Sequence, residues 1–327
     1  MVPLRLAVAW RPVPARVGEE HTVTRLLRDR GFAVIQTQDG HLDLDALEVV
    51  LVLENARWFP TIVHDLASRA GRRPRLVVWH WEPLPLPRSA GVPPSRLHWK
   101  ELAKIALRDP RATDVYSNLA GLRRLGDLAL PDLLLVSSRA WQQSLAEEGL
   151  ASEFLPYGFE DAEEPPARGS RHIEALFLGA LDVPRRRRII RRLRRSGVAL
   201  TALGSWHSPD LWGRSRARLI HRADAFLNLQ RSPGQMSTDR LLLGMVGKAL
   251  VVSEPIYRPE PFVPGEHYVE AEVDEMPDVL AHYRRNRDER DQIVDRAHRF
   301  VTGKLSMGGS LDHLDPLLRG IVSTGGA

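Results

Sequence analysis

The feature that most constrains the fold is a repeated alternation of short apolar runs with helical patterns. The run Val49–Leu53 is apolar throughout, and Leu4–Ala9 is apolar apart from Arg5, without regularly alternating polar positions. Continuous apolar runs of this length are typical of strands in parallel sheets that helices cover on both faces. The sequence therefore predicts an α/β protein built from doubly wound parallel sheets.

The alternation divides into two halves. In the first half, the predicted strands are Leu4–Ala9, Phe32–Gln36, Val49–Leu53, Leu76–Trp79, Leu133–Val136 and Glu153–Leu155, and the predicted helices are Thr22–Arg30, Pro60–Ala70 and Arg139–Glu148. In the second half, the predicted strands are Ile173–Leu178, Ala199–Leu203, Ala225–Leu229 and Ala249–Ser253, and the predicted helices are Pro184–Arg195, Ser215–Ala223, Thr238–Val246, Glu275–Arg285, Asp288–Leu305 and Leu311–Val322.

A segment with the composition of a linker, Tyr157–Ser170, separates the halves. It is acidic and rich in proline and glycine. A chain of 327 residues also exceeds one ordinary core, so two domains are expected. We predict an N-terminal Rossmann-like domain over 1–160, a C-terminal one over 161–305, and a final helix in 306–327 that crosses back to the first domain. The main cleft is expected between the two domains.

Composition narrows the classes of function. The 43% hydrophobic and 27% charged residues are those of a soluble globular protein, and the absence of cysteine excludes disulfides, thiolate metal sites and cysteine nucleophiles. The N-terminus reads as a first strand and no run is long enough to span a membrane, so a cytoplasmic location is expected. A net charge of +5 favours an anionic partner.

Several basic or glycine positions follow predicted strands of the second half. Gly179 ends a strand and Pro184 opens the next helix, which brings backbone N–H groups and a helix N-terminus to the sheet edge. In the helix that follows, Arg185 and Arg186 are placed to reach a phosphate there, whereas the remaining arginines read as a solvated face. Nucleic acid and an acidic membrane surface are the alternative partners for this positive charge. Binding of nucleic acid is disfavoured, because the sequence shows no aromatic residues interleaved with the arginines on which bases could stack.

A second set of polar residues surrounds the helix that begins at Thr238. Ser237 or Thr238 can cap this helix while its free N–H groups hold phosphate oxygens, and Arg240 adds a charge-assisted contact. Arg231 precedes it in the same loop. Glu254 and Glu266 follow the next strand, where carboxylates can accept hydrogen bonds from ribose hydroxyls; surface acids are the alternative reading.

In the first half, chemistry-bearing side chains follow the strand that ends near Trp79. His80 and Glu82 suit a general base, with His21 as a rival, and the flanking tryptophans Trp79 and Trp81 suit a stacking surface for an acceptor. Glu54 follows the neighbouring strand at the same edge. The alternative is a buried histidine and two packing tryptophans. No metal site is predicted, because the histidines show no ligand spacing.

The second half resembles nucleotide-sugar glycosyltransferases of the GT-B fold, especially CgeB-like and other family-1-type transferases. The similar segments, in order, are LFLGALDVPRRRRIIRRLRRSG, HRADAFLNLQRSP, TDRLLLGMVGKALVVSE, EPFVPGEHYVE and RDERDQIVDRAHRFV, and LPYGFED and WHWEPLP are similar to segments at the domain junction and in the acceptor domain. Together they cover most of residues 172–305.

The resemblance implies a GT-B-like fold, with two Rossmann-like domains facing each other across a cleft. The donor would bind the C-terminal domain and the acceptor the N-terminal one. It also implies a metal-independent transferase with no cofactor besides its nucleoside-diphosphate sugar co-substrate. The implied acceptor is a small molecule, glycan or protein, with no nucleic acid, and an oligomer or a peripheral membrane contact stays open.

The chain departs from the pattern of many retaining relatives, which carry two glutamates eight residues apart. Aligning their glycine with Gly247 places these positions at Gly234 and Leu242, and neither residue is acidic. Ribose must then be held otherwise, or donor binding is altered. A catalytically altered GT-B-like partner or scaffold, or a sugar-nucleotide epimerase of the same fold, are therefore the alternative functions.

Overall fold

The computed structural model describes residues 3–12, 17–92, 103, 115–159, 171–204 and 211–323. The chain divides into two compact units, which we call the first unit (Met1–Tyr157 with Met307–Ala327) and the second unit (Gly158–Ser306). Most of the predicted linker, residues 160–170, lies outside the described residues.

The first unit is built on a six-stranded parallel sheet with the order β2-β1-β3-β4-β5-β6. Its strands are β1 (Arg5–Ala9), β2 (Ala33–Thr37), β3 (Val49–Glu54), β4 (Arg75–His80), β5 (Pro131–Val136) and β6 (Glu153–Phe154). Strands β1, β3 and β4 have almost no exposed side chains after their first residue, because helices cover both faces of a doubly wound sheet.

The helices of the first unit come from both ends of the chain. They are α1 (Thr22–Asp29), α2 (Pro60–Ser68), α3 (Val115–Asp127), α4 (Arg139–Glu147) and, from the C-terminal part, α10 (Met307–Ser323). Helix α10 packs against α1 through a buried stripe of Leu311, Leu314 and Leu318, and Arg30 donates to Asp312. The last helix thus completes the core of the first unit.

The second unit is built on a five-stranded parallel sheet with the order β11-β10-β9-β7-β8. Its strands are β7 (Ile173–Leu178), β8 (Leu200–Leu203), β9 (Ala223–Asn228), β10 (Leu250–Ser253) and β11 (Val269–Glu270), and its helices are α5 (Pro184–Arg195), α6 (Gly213–His221), α7 (Thr238–Val246), α8 (Met276–Arg285) and α9 (Arg287–Lys304). Two apolar clusters, one on each face of this sheet, form the core.

These two sheets confirm the predicted α/β class with doubly wound, Rossmann-like units, and every predicted strand is present. Sequence reasoning missed helix α3 and the two-residue strand β11. Helix α3 contains Gly121 and Gly126, which lower helix propensity but let α3 pack closely on Arg57 and Leu150. Among the described residues, no helix combines the length and apolar character needed to cross a membrane.

Candidate functional site: the carboxyl edges of the two sheets

The carboxyl edge of the second unit's sheet gathers the residues that follow β7, β9 and β10. Because these strands are parallel, Gly179, Gln230 and Glu254 emerge at the same edge. Helices α5 and α7 begin just beyond it. Ligands of open α/β sheets bind at such edges.

Gly179 and Gly204 let the chain segments after β7 and β8 approach closely. Gly179 has φ 154° and Gly204 φ 147°. A Cβ atom added at Gly204 would lie 2.4 Å from the carbonyl oxygen of Gly179. Side chains are therefore excluded here, and the backbone after β7 stays open on the side where α5 and α7 begin.

Arg186 points its guanidinium at this open backbone. The side chain is buried, lies over the ring of Phe177 and donates from Nε to the carbonyl oxygen of Leu229 at 3.0 Å. Burial, together with the nearby charges of Arg240 and Arg231, lowers the pKa of Arg186 to about 8, while the charges of Glu254 and Asp182 act in the opposite direction. Such a guanidinium would gain from an anion beside it.

Arg240, in the first turn of α7, approaches the same point from the other side. Its Nε donates to Oδ1 of Asn228 at 2.8 Å, and Nδ2 of Asn228 donates to Oγ of Ser253 at 2.9 Å. A Cβ atom added at Gly179 would lie 3.5 Å from Nη1 of Arg186 and 3.6 Å from Nη1 of Arg240. The space above Gly179 is thus flanked by two guanidinium groups, an arrangement suited to phosphate oxygens.

The N-terminus of α7 adds backbone donors to this group. Ser237 occupies the N-cap position without making a side-chain capping hydrogen bond. The Oγ1 atom of Thr238 is buried and finds no hydrogen-bond partner within the described part of the chain. The first turn of α7 therefore keeps hydrogen-bonding capacity that an anion can use.

Arg185 and Glu254 engage each other, an arrangement the sequence did not predict. Both terminal nitrogens of Arg185 donate to the two carboxylate oxygens of Glu254, one at 2.9 Å, and Nη1 also donates to the carbonyl oxygen of Gln230. The backbone N–H of Gln230 donates to the same carboxylate at 2.7 Å. Glu254 is only 3% exposed, so contact with ribose would require this pair to open.

The remaining residues predicted for the donor are more scattered. Arg231 is exposed but close enough to Arg186 to affect its pKa. Glu266 is exposed on the loop before β11, toward the amino ends of the strands, and the structure does not bring it to Gly179. Leu242 is buried in α7, and Gly234 has φ 78° in the loop that pairs with Ile256. Position 242 therefore faces the core.

The carboxyl edge of the first unit's sheet is aromatic. We call its members the aromatic cluster: Trp10, His21, Trp79, Trp81 and Tyr157. The rings of Trp10 and His21 are 4.8 Å apart, those of Trp81 and Tyr157 4.7 Å, and those of Trp79 and Trp81 5.1 Å. Trp79 is fully buried and its Nε1 donates to the carbonyl oxygen of Leu155, so of the predicted stacking pair only Trp81 is partly exposed.

His21 is the N-cap residue of α1. Its Nδ1 accepts a hydrogen bond from the backbone N–H of Val23 at 3.1 Å, and the side chain is almost fully buried. A neutral imidazole that accepts at Nδ1 carries its proton on Nε2. To act as a general base, His21 would first have to release the cap.

His80 is fully buried at the end of β4, beside Glu54 at the end of β3. Burial lowers its pKa to about 3, with backbone groups of Glu82 and Glu54 acting in the opposite direction. The ring is therefore neutral, and no acceptor hydroxyl reaches it without rearrangement. Glu82 and Glu54 are both partly exposed, and Glu54 has the unusual φ of 68° for a non-glycine residue.

Sequence reasoning overlooked two members of these edges. Trp10 directly follows β1, and Asn228 ends β9. The rule that placed Glu54 and Glu254 at strand ends would have found both. Among the described residues, no group of three or more histidine, aspartate or glutamate side chains is arranged to hold a metal ion.

Part of the sequence, and the fold as a whole, are similar to those of known proteins. Residues 185–310 match the family model described as glycosyl transferase-like. The fold is similar to sucrose-phosphate synthase from Thermosynechococcus elongatus, with a TM-score of 0.65, 9% identity, and coverage of 98% of this chain and 100% of that chain. No curated protein sequence matches significantly.

Two further structures are similar over nearly their whole length. Anabaena HepE, in complex with UDP and glucose, gives a TM-score of 0.61 at 10% identity, covering 97% of this chain and 100% of that chain. A glycosyltransferase from Rickettsia africae gives 0.54 at 10% identity, covering 98% and 99%. At such identities the likeness concerns the fold.

The comparisons confirm the resemblance to GT-B glycosyltransferases, without singling out the CgeB-like branch. The family match supports the assignment to the glycosyltransferase class and lies almost entirely in the second unit, which carries the two guanidinium groups. The chain is therefore a GT-B-fold protein whose residues 185–310 match the glycosyl transferase-like family.

Proposed function

We propose that the protein is a metal-independent glycosyltransferase that moves a sugar from a nucleoside-diphosphate sugar to an acceptor hydroxyl. The observation that carries the proposal is the space above Gly179, flanked by the guanidinium groups of Arg186 and Arg240. Their two positive charges, together with the N-terminus of α7 at Ser237 and Thr238, suit a diphosphate.

The chemistry that this geometry supports is stabilisation of the leaving group. When the bond between the sugar carbon and the diphosphate oxygen breaks, negative charge develops on the diphosphate. Arg186 and Arg240 would neutralise that charge, and the N-terminus of α7 at Thr238 would donate to the same oxygens. Preorganised cations in a partly buried site can do this without a divalent metal.

The acceptor would bind the first unit, with Trp81 as the stacking surface. If the reaction inverts the anomeric centre, a base must take the acceptor proton. Of the three predicted bases, Glu82 has a partly exposed side chain, whereas His80 is buried and the Nδ1 of His21 is engaged. We therefore place Glu82 first in this role, with His21 and His80 requiring rearrangement.

Nucleotide binding tests the proposal most directly. UDP is the first probe, because the similar Anabaena structure holds UDP and glucose; GDP, dTDP, ADP and CMP complete the panel. At about a hundredfold excess over its dissociation constant, a ligand stabilises the fold by about 2.7 kcal/mol, which raises the melting temperature by several degrees. If no nucleotide of the panel changes the melting temperature, the proposal is wrong.

One observation favours a second candidate, a GT-B-like partner of another transferase. Position 242 is a buried leucine and Glu254 is held by Arg185, so neither is ready to receive ribose hydroxyls. Such a partner would bind nucleotide weakly or not at all and turn over no donor. Release of free nucleotide from UDP-glucose that Arg240→Ala abolishes, with the melting temperature otherwise unchanged, would exclude this candidate.

A further inference from the structure

Helix α5 has an arginine content far beyond what the donor site uses. Eight of its twelve residues are arginine, and only Arg186 is buried with the apolar stripe of Ile189, Ile190 and Leu193. Arg187, Arg188, Arg191, Arg192, Arg194 and Arg195 are exposed. The outward face of the helix is therefore a dense patch of positive charge.

This charge borders an apolar groove. A cavity of about 630 Å³ runs between α5 and the edge strand β8, with Leu181, Ile190 and Ala202 in its lining. Arg187, Arg188, Arg191 and Arg194 also line it, at the spacing that places side chains on one face of a helix. Leu203, at the end of β8, is 37% exposed.

The cations along this groove are largely uncompensated. Within the described ranges, the ion pair recorded for the exposed face of α5 joins Arg192 to Asp274, away from the groove lining. Arg194 donates to the carbonyl oxygen of Leu200, and Nε of Arg191 to that of Arg187. These neutral acceptors leave the positive charge in place.

We propose that the groove and the arginines beside it, which we call the α5 surface, dock the protein on an anionic membrane. Lipid phosphates would pair with the guanidinium groups, and the apolar floor would receive the upper part of an acyl chain. Nucleic acid fits less well, because none of the described residues lining the groove is aromatic. This inference stands independently of the proposed donor chemistry.

Vesicle co-sedimentation with a charge-matched control tests the inference. The test variant is Arg187→Gln/Arg188→Gln/Arg191→Gln. The control is Arg285→Gln/Arg287→Gln/Arg299→Gln, which removes three exposed arginines elsewhere in the same unit. Each charge near a membrane contributes about fivefold, so we expect the test variant to bind vesicles with about 30% phosphatidylserine about a hundredfold more weakly.

Other arms of the experiment identify the partner. Wild-type protein should not bind pure phosphatidylcholine vesicles, and the control should bind anionic ones like wild type. The test variant should keep the UDP-induced change in melting temperature, if wild type has one, because its substitutions lie outside the donor site. Absent binding to anionic vesicles, equal losses in both variants, or oligonucleotide binding that displaces the vesicles would each overturn the inference.

Discussion

The two units share one architecture and carry opposite chemistry at the same place. In both, the residues that follow the parallel strands gather at the carboxyl edge of the sheet. In the first unit that edge holds the aromatic cluster and the neutral, buried His80. In the second it holds the guanidinium groups of Arg186 and Arg240 above Gly179.

This difference indicates that the sheet determines the position of a binding site, at its carboxyl edge, whereas a few side chains after the strands determine which class of ligand fits. A stacked aromatic edge suits a sugar ring or another flat acceptor. A pair of guanidinium groups suits a diphosphate. Breaking either edge should therefore affect one kind of ligand and leave the other unit intact.

The largest effect is expected from removing both guanidinium groups. The double variant Arg186→Gln/Arg240→Gln should bind UDP at least a hundredfold more weakly, because each charged hydrogen bond contributes about 1.5–3 kcal/mol. Isothermal titration measures the change. The control Arg285→Gln/Arg299→Gln removes the same charge from the same unit and should bind UDP like wild type. Equal affinity in all three proteins would mean that the diphosphate binds elsewhere.

The next effect concerns acid stability of the first unit. The pKa of His80 falls from 6.5 when unfolded to about 3 when folded. Between these values the unfolded chain binds a proton that the folded one does not, so stability decreases as pH falls below 6.5. Between neutral pH and about pH 4.5, the free energy of unfolding of the wild type should decrease by about 2–3 kcal/mol more than that of His80→Leu, as measured by urea unfolding.

An exposed histidine of the same unit provides the comparison for His80. His64→Leu should follow the wild-type curve, because the side chain at position 64 is exposed. If His80→Leu loses as much stability on acidification as the wild type does, His80 is not a neutral buried group. The first unit's edge would then not be the uncharged counterpart of the positively charged edge of the second unit.

A smaller effect is expected from filling the space above Gly179. The added methyl of Gly179→Ala would contact Phe177 at 3.0 Å and occupy the point that both guanidinium groups flank. Losing one such contact weakens UDP binding by about tenfold or more. Gly197→Ala, at φ 87° with no atom within 4 Å of the new Cβ, is the control for backbone strain. It should lower stability without changing UDP affinity.

The smallest effect is a pH dependence of donor binding. Arg186 loses its proton as pH rises through about 8, whereas a bound diphosphate requires the charged form. UDP affinity should be flat between about pH 7 and 8, where the terminal phosphate of UDP is already doubly ionised, and should fall by up to about tenfold per unit above pH 8. Arg186→Gln should bind UDP more weakly and show no such slope. A slope that persists in this variant would assign the titration to another group.

The fold was predictable from the sequence because local signals and packing agree. Helices Pro184–Arg195 and Thr238–Val246 begin and end at the predicted residues, since a proline opens the first and a cap residue precedes the second. Helix Val115–Asp127 escaped prediction because Gly121 contributes only through its close approach to Arg57, a contact between distant segments.

The site was less predictable, because a small rotation of a helix about its axis decides which of two adjacent arginine side chains faces the sheet edge. The sequence placed both Arg185 and Arg186 near the edge. Only the folded chain assigns Arg185 to the carboxylate of Glu254 and Arg186 to the space above Gly179. The burial of His80 likewise depends on α4, whose Trp141 ring lies 6.5 Å away. The periodicity of a sequence indicates which face of a helix is buried, but not which contacts a single side chain makes.

The return of α10 to the first unit has a consequence for how the protein is made. Residues 1–157 leave the ribosome first. The surface of α1 stays exposed until α10 is synthesised, because Leu311, Leu314 and Leu318 of α10 cover it. The second unit is contiguous in sequence, so it can fold completely before the first unit does. Expression of residues 1–157 alone should therefore yield an aggregation-prone fragment, whereas residues 158–306 form the unit suited to isolated production.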